Sequence, residues 1–483
     1  MTLLLASLAL LIGGYFIYGL VAERVFGIDS SRAMPAHTKA DGIDFVPMPT
    51  WKIFLIQFLN IAGLGPIFGA IMGVMFGPAA FLWIVIGTIF GGAVHDFISA
   101  MMSVRSGGDS LPELVGRELG PVIKNLLRIT STLLLVLVGA VFILTPAGLL
   151  AGMTPDWMTP VFWTCIIFLY YILATLLPVN QLIGRFYPIF GAALLFMAAG
   201  LLYMLLFGGF EIPTGIEAGL FNRHGAAESH PIFPMMFVSI ACGAISGFHA
   251  TQSPMMARCL TNEKLARPVF YGAMVAEGVV ALIWAAAAIC FTGGYEQLGA
   301  YMDEHTTGEL VHNISVSWLG KFGGALALLG VVAAPITTGD TALRSARLIV
   351  ADFIGTDQSR ISKRLLISLP VFAATFALML LDFNVLWRYF AWCNQTLAAF
   401  TLWAATVYLA RHGKAFIICL VPALFMTFVV TSYILCAPSP EGFGLPLWVA
   451  AAGAFIVDLV CIILFGRYQM LRRAGKLVHD VSY

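Results

Sequence analysis

The sequence predicts an all-α polytopic membrane protein of about thirteen spanning helices, and three observations carry that prediction. Sixty per cent of its 483 residues are apolar and 11% are charged, whereas roughly a quarter of a soluble domain is charged. Apolar runs recur at about the twenty residues that a helix needs to cross a hydrocarbon core. The basic residues fall almost entirely into alternate connections between those runs, as they do when short positive loops stay on the cytoplasmic side.

Taken in order, the runs fall at 3–21, 52–76, 78–101, 122–149, 160–177, 184–207, 232–257, 268–293, 320–352, 365–381, 385–410, 415–436 and 445–466. Lipid offers no partner to a backbone N–H or C=O, so only helices and closed barrels can span it. Runs of this length without strict alternation select helices. The first run has no basic region ahead of it and no clear small-residue cleavage site, so it reads as a retained helix rather than a signal peptide. Gly77-Pro78 supplies a tight turn between the second and third runs. The 22–50 segment, with Pro35, Pro47 and Pro49, is too polar to span and reads as a cytoplasmic connection.

With the N-terminus outside and the C-terminus inside, only Arg223, Lys321 and Arg388 of the 26 basic residues fall on the outer face. The other 23, Arg185, Arg360 and Lys476 among them, fall on the cytoplasmic face. The outer face carries longer acidic loops, from Glu211 to His230 and from Glu296 to Glu309, which read either as solvated loops or as a cap over an access path. A net charge of +1 without a basic tract gives no sign of a nucleic-acid partner. The eight cysteines form no C-x-x-C pair and no zinc-like spacing with histidine. They read as small buried apolar residues, and no metal or cofactor is expected.

Two runs are interrupted. Asn60-Ile-Ala-Gly-Leu-Gly-Pro-Ile-Phe-Gly-Ala-Ile-Met-Gly73 carries Pro66, which lacks a donor, among glycines that permit non-helical backbone. Ile240-Ala-Cys-Gly-Ala-Ile-Ser-Gly-Phe-His-Ala-Thr-Gln-Ser-Pro254 places Ser246, His249, Thr251, Gln252 and Ser253 in an otherwise apolar run. Transporters bind substrate where helices unwind, because freed backbone groups and half-helix ends become ligands. The alternative for Gly65, Gly69 and Gly73, spaced by four, is close helix packing. The interrupted runs are the second and seventh, five apart, which fits an inverted five-plus-five repeat over 52–207 and 232–410. The helix at 3–21 is then an N-terminal addition, the two helices in 415–466 a C-terminal one, and 467–483 a cytoplasmic tail.

Ionisable and polar residues at membrane depth are functional candidates by default. Asp340 lies four residues before Arg344, so a structural ion pair at the cytoplasmic end stands beside a coupling role. Thr337 and Thr338 offer oxygens of the kind a hard cation prefers. His95 and Asp96 end the third run, where anchoring at the interface is the plain alternative. Glu277 is a candidate proton carrier, and His249 suits coupled protonation or a satisfied structural role. Asn394 and Gln395 face the bundle interior as site lining or as interhelical glue, and Trp387 and Tyr389 read as interface anchors.

These residues resemble the carbon starvation protein A family of peptide and pyruvate transporters. The resemblance rests on Gly65-Pro-Ile-Phe-Gly-Ala-Ile-Met-Gly73, Trp83 through Gly91-Gly-Ala-Val-His-Asp-Phe97, and Ser103-Val-Arg-Ser-Gly-Gly-Asp-Ser110. It continues through Ile245-Ser-Gly-Phe-His-Ala250, Tyr271-Gly-Ala-Met274, Gly339-Asp-Thr-Ala-Leu-Arg-Ser-Ala-Arg347 and Asn394-Gln395. The chain looks like a short version of the family. The resemblance implies uptake of peptides or pyruvate across a bacterial inner membrane under carbon starvation, driven by an ion gradient. It also implies the amino acid/polyamine/organocation superfamily, with its leucine-transporter-like five-plus-five fold. In that fold Thr337 and Thr338 would face the break from Ala62 to Gly65.

The expected activity is therefore symport of a small nutrient by alternating access, with H⁺ or Na⁺ as coupling ion and no enzymatic step. Asn60, Gly63, Gly65, Ser246, His249, Gln252, Asn394 and Gln395 are the expected substrate-binding residues. Ala62, Thr337, Thr338, Asp340 and Glu277 are the expected ion-coupling residues, while Pro66, His95, Asp96 and Arg344 are structural or gating. The expected partners are the small-molecule substrate and the bilayer. A membrane-embedded hydrolase using His95-Asp96 or His249 lacks any G-x-S-x-G or H-E-x-x-H motif. A nutrient sensor would carry a soluble signalling domain, for which the loops here are too short.

Overall fold

The computed structural model describes residues 1–42, 44–176, 179–210, 212, 219–356 and 361–474. Glu211, Arg360, Lys476 and the rest of the tail beyond 474 lie outside the described residues, as does the side chain of Arg185. Every regular element among the described residues is helical, and none is a strand. Among the described residues nine helices are long and apolar enough to cross a bilayer, or ten when Thr50–Ile61 and Gly65–Val74, bent by 54°, are taken as one span. Of the other expected runs, 160–177 holds the shorter helix Pro160–Leu176, and 232–257 is divided by its break. The run at 385–410 lies within the 29-residue helix Phe383–Arg411.

The long helices Pro121–Met153 and Thr307–Ile354 form the most extensive helix–helix contact. Gly139 admits Leu343 there, since a Cβ at Gly139 would lie 2.6 Å from Leu343 Cδ2. Thr307–Ile354 starts at a capping box, in which the Thr306 hydroxyl accepts from the Glu309 amide and the Glu309 carboxylate accepts from the Thr306 amide. It bends at Gly320, whose φ of 67° belongs to the left-handed region that glycine tolerates. The expected run at 320–352 is therefore the inner limb of a kinked helix.

The helix Thr2–Phe26 packs on Gly272–Thr292 and on the helix running through Ala79–Arg105, with Leu4, Leu11 and Phe26 fully buried. Its opposite side exposes Leu10, Phe16 and Ile17, and the helix Leu447–Arg473 buries only Ala450 and Ala454. Such apolar exteriors are solvated by lipid tails rather than water.

At the basic face, Glu263 is fully buried yet ionically tied. It accepts from Arg105 Nε at 2.6 Å, from Arg105 Nη2 at 2.7 Å and from the Asp29 amide at 2.7 Å. A buried carboxylate survives only with such partners. They pin the 22–50 connection to the bundle without its crossing the membrane.

Candidate functional site

The two interrupted spans meet. The first helix, Thr50–Ile61, stops at Ala62 (φ −82°, ψ 46°) and resumes as a widened turn over Gly65–Gly69 before Ala70–Val74. The second unwinds at Ile240 (φ −90°, ψ 60°) and becomes helical again at His249–Ala257. A Cβ at Gly65 would lie 2.0 Å from Cys242 Cβ, one at Gly69 2.8 Å from the Ser239 carbonyl, and one at Gly73 2.1 Å from Ile240 Cγ1. Close packing and interruption, the two readings of these glycines, are thus one arrangement. Gly243, at φ +91°, brings the second break within van der Waals reach of Pro66.

Asn394 organises the unwound chain. Its Oδ1 accepts from the Phe248 amide at 2.6 Å and from the Ser246 hydroxyl at 3.1 Å, and its backbone carbonyl accepts from the Gly247 amide at 3.1 Å. Thr88 donates to the Gly243 carbonyl at 2.9 Å, and Gln395 Nε2 donates to the Phe237 carbonyl at 3.4 Å. The Ala250 and Thr251 amides bond back to Gly247 and Phe248. The amides of Gly247, Phe248, Ala250 and Thr251, at the start of this half-helix, are therefore engaged within the protein.

His95 and Asp96 lie within the helix Ala93–Arg105. The helix runs on to Arg105, and both side chains are buried in its interior, because the charge is satisfied by neighbours rather than by water. Asp96 Oδ1 accepts from His95 Nδ1 at 2.8 Å, and Oδ2 accepts from His249 Nδ1 at 2.9 Å. An ionised carboxylate only accepts, so both rings carry their proton on Nδ1. His95 Nε2 then has no hydrogen-bond partner among the described residues, and His249 Nε2 faces Cys242 and Glu277. Glu277 Oε2 lies 3.5 Å from His249 Nε2, and the ligating atoms of Cys242, His249 and Glu277 lie within 4.8 Å of one another. A file of ionisable groups, His95–Asp96–His249–Glu277, thus links three spans in a fully buried interior.

The Thr338 hydroxyl donates to the Leu59 carbonyl at 3.3 Å and lies 3.5 Å from the Asn60 carbonyl, which brings it to the first break. A Cβ on Gly63 would lie 3.6 Å from that hydroxyl oxygen. Ala62 and Asn60 are buried beside it, with Asn60 Oδ1 unpartnered among the described residues. The Thr337 hydroxyl lies 3.0 and 2.9 Å from the Ala333 and Ala334 carbonyls of its own helix. Asp340 and Arg344 face each other at 3.7 Å, and Arg344 donates to the Ala174 carbonyl at 2.8 Å, away from the histidines. Gln252 is buried, with its amide nitrogen on the Thr251 hydroxyl at 2.9 Å. Trp387 is no interface anchor: it is 6% exposed and packs on Phe68 and Phe390, with ring centroids 5.8 and 5.5 Å away.

Sequence reasoning passed over Cys242, Thr88 and Gln57. Gln57 donates to the Ser253 hydroxyl at 3.0 Å and ties the two broken spans together. Its place three residues before Asn60, on the same side of a helix, was a usable signal. A cavity of about 980 Å³ lies against Phe68 and Met72 of the first broken span and is walled by 302–309, His312 and Asn313. Asp303, Glu304, His305 and Thr306 of the 296–309 loop are exposed and border this cavity at the same time.

The model of the carbon starvation protein CstA family matches residues 1–162, 156–318 and 305–433. The chain belongs to this family. A Haemophilus influenzae protein described as an uncharacterized membrane protein is 44% identical over 345 residues, covering 62% of this chain and 92% of that one. The peptide transporter CstA of Bacillus subtilis is 28% identical over a 541-residue alignment covering 89% of each. The Escherichia coli pyruvate/proton symporter BtsT is 27% identical over 347 residues, 59% of this chain but 48% of its own length. Among solved structures, a manganese transporter from Eremococcus coleocola has a TM-score of 0.53 at 12% identity, covering 90% of this chain and 99% of that one. At that identity the likeness shows a shared fold.

Proposed function

We propose that this member of the CstA family is a secondary active transporter that imports peptides or pyruvate across the bacterial inner membrane by ion-coupled symport. In this reading thirteen spans, N-terminus outside and C-terminus cytoplasmic, form an inverted five-plus-five core at 52–207 and 232–410, and the carrier serves cells starved of carbon. The observation that carries it is the crossing of the two interrupted spans at Gly65 and Cys242, beside Asn60 Oδ1, which lacks a partner among the described residues. Alternating access about a midplane site at helix breaks is the behaviour such an arrangement supports. The names of the relatives in Bacillus subtilis and Escherichia coli support the substrate classes, and the latter name supports a proton as coupling ion.

The proton would be held between His249 Nε2 and Glu277, 3.5 Å apart, with Asp96 fixing the ring from its other side. Protonation cancels charge that a dry interior cannot hold unpaired, so loading and unloading the proton biases which face opens. Thr338 and the carbonyls of the first break are the alternative place for Na⁺.

The test is uptake of labelled pyruvate and of di- and tripeptides into liposomes holding the purified protein, under imposed H⁺ or Na⁺ gradients. Gradient-driven accumulation is expected, and accumulation of none of these substrates under either gradient overturns the proposal. Glu277→Gln is expected to exchange substrate across the membrane yet fail to concentrate it. Loss of both activities together would remove Glu277 from the coupling step.

A further inference from the structure

Cys242 lies at the crossing of the breaks, with its sulfur turned toward the ionisable file rather than toward lipid. Its Sγ is 3.5 Å from Asn394 Nδ2 and 3.5 Å from the Ser246 hydroxyl. Of these two only the Asn394 amide donates to the sulfur, since the Ser246 hydroxyl gives its single proton to Asn394 Oδ1. The His249 ring beside it is held by Asp96 through Nδ1 at 2.9 Å, which leaves Nε2 facing the cluster. A carboxylate that orients a histidine so that its other nitrogen can ligate is the usual outer support of a metal-bound imidazole. Glu277 is the third member, fully buried, with the Gly243 backbone amide beside it and Oε2 3.5 Å from His249 Nε2.

We propose that Cys242, His249 and Glu277 form a binding site for a borderline-soft divalent transition cation such as Zn²⁺ or Co²⁺. The donor set of one thiolate, one imidazole and one carboxylate suits these ions, and three protein ligands leave a fourth position open. Ligand bonds of about 2.0–2.3 Å place tetrahedral donor atoms roughly 3.4–3.7 Å apart. The 3.5 Å between His249 Nε2 and Glu277 Oε2 already meets that spacing, and the cluster as a whole lies within 4.8 Å. Drawing in the most distant donor atoms by about 1 Å, from at most 4.8 Å to that spacing, closes the set. The thiolate and the carboxylate together neutralise the dication, which removes the main cost of placing it away from water. The cation takes two of the groups assigned above to the coupling proton, so bound metal and turnover exclude one another. Metal binding itself is read without transport and does not depend on that assignment.

The test titrates chelator-stripped, full-length protein in detergent with Co²⁺, and with Zn²⁺ in a calorimeter. One ion per chain is expected, with a sulfur-to-cobalt charge-transfer band. Cys242→Ala and Cys242→Ser are expected to abolish the band, and Glu277→Gln to weaken binding at least tenfold. Cys165→Ala, which removes an exposed thiol, is expected to bind as the unmodified chain does. Chromatographic profile and melting temperature establish that each variant is folded, and the two Cys242 variants guard against a single misfolding substitution. Absence of stoichiometric binding, or a cobalt band that survives in folded Cys242 variants, overturns the proposal.

Discussion

Gly65→Ala tests whether the two breaks cross as described. The new methyl carbon would lie 2.0 Å from Cys242 Cβ and 2.4 Å from its sulfur, where carbon atoms prefer about 3.5–4.0 Å. Some 1.5 Å of separation is needed, yet Gly69 packs on the Ser239 carbonyl and Gly73 on Ile240, so neither segment can slide. Overpacking costs about 1–3 kcal/mol where neighbours can yield, and the upper end applies here. Cys242→Gly removes both obstructing atoms. In a double-mutant cycle the pair should therefore show a coupling of about 2–3 kcal/mol, the double variant being more stable than the sum of the single losses. Thermal unfolding of the four purified proteins, followed by tryptophan fluorescence, measures it. A harmless Gly65→Ala, or strict additivity with Cys242→Gly, would refute the crossing.

Asn394→Ala leaves the buried Phe248 amide without its acceptor, which costs about 1–3 kcal/mol; hydrogen exchange over 244–250 should accelerate by about tenfold or more, and unchanged protection would count against the role given to Asn394. Arg105→Ala strips the buried Glu263 of its two shortest charged contacts and should cost about 3–5 kcal/mol. Trypsin should then cut faster at Arg32 and Lys39, while Arg105→Lys restores only part, since an ammonium cannot span both carboxylate oxygens and the Gly27 carbonyl. Burial pushes the Glu118 carboxyl up to about 7, against the pull of Arg411 2.7 Å away. Because that value lies above its ordinary 4.5, the folded chain takes up a proton that the unfolded chain releases. Stability should rise as pH falls from about 7 to about 4.5, by roughly 3 kcal/mol in all, and Glu118→Gln should flatten this slope in melting curves taken across that range.

Much of the architecture was readable because lipid acts on each segment independently. A run such as 122–149 must be helical whatever it packs against, and the helix Pro121–Met153 covers it. Both breaks were equally readable, since Pro66 and the glycines change the backbone locally. Burial that depends on a distant partner was not readable. His95 and Asp96 end an apolar run, and His249 supplies from 153 positions away the contact that lets Asp96 stay buried. Trp387 looked like an anchor for the same reason, and Phe68 and Phe390 enclose it.

The helical class, the places where two spans unwind, and the family all follow from local composition and order. That Asp96, Cys242, His249, Glu277 and Asn394 share one buried site follows from the packing of distant segments. Hydropathy registers how costly a polar group is in lipid but not which distant group relieves that cost, and the pairing of charges and hydrogen bonds across spans is what selects the packed arrangement.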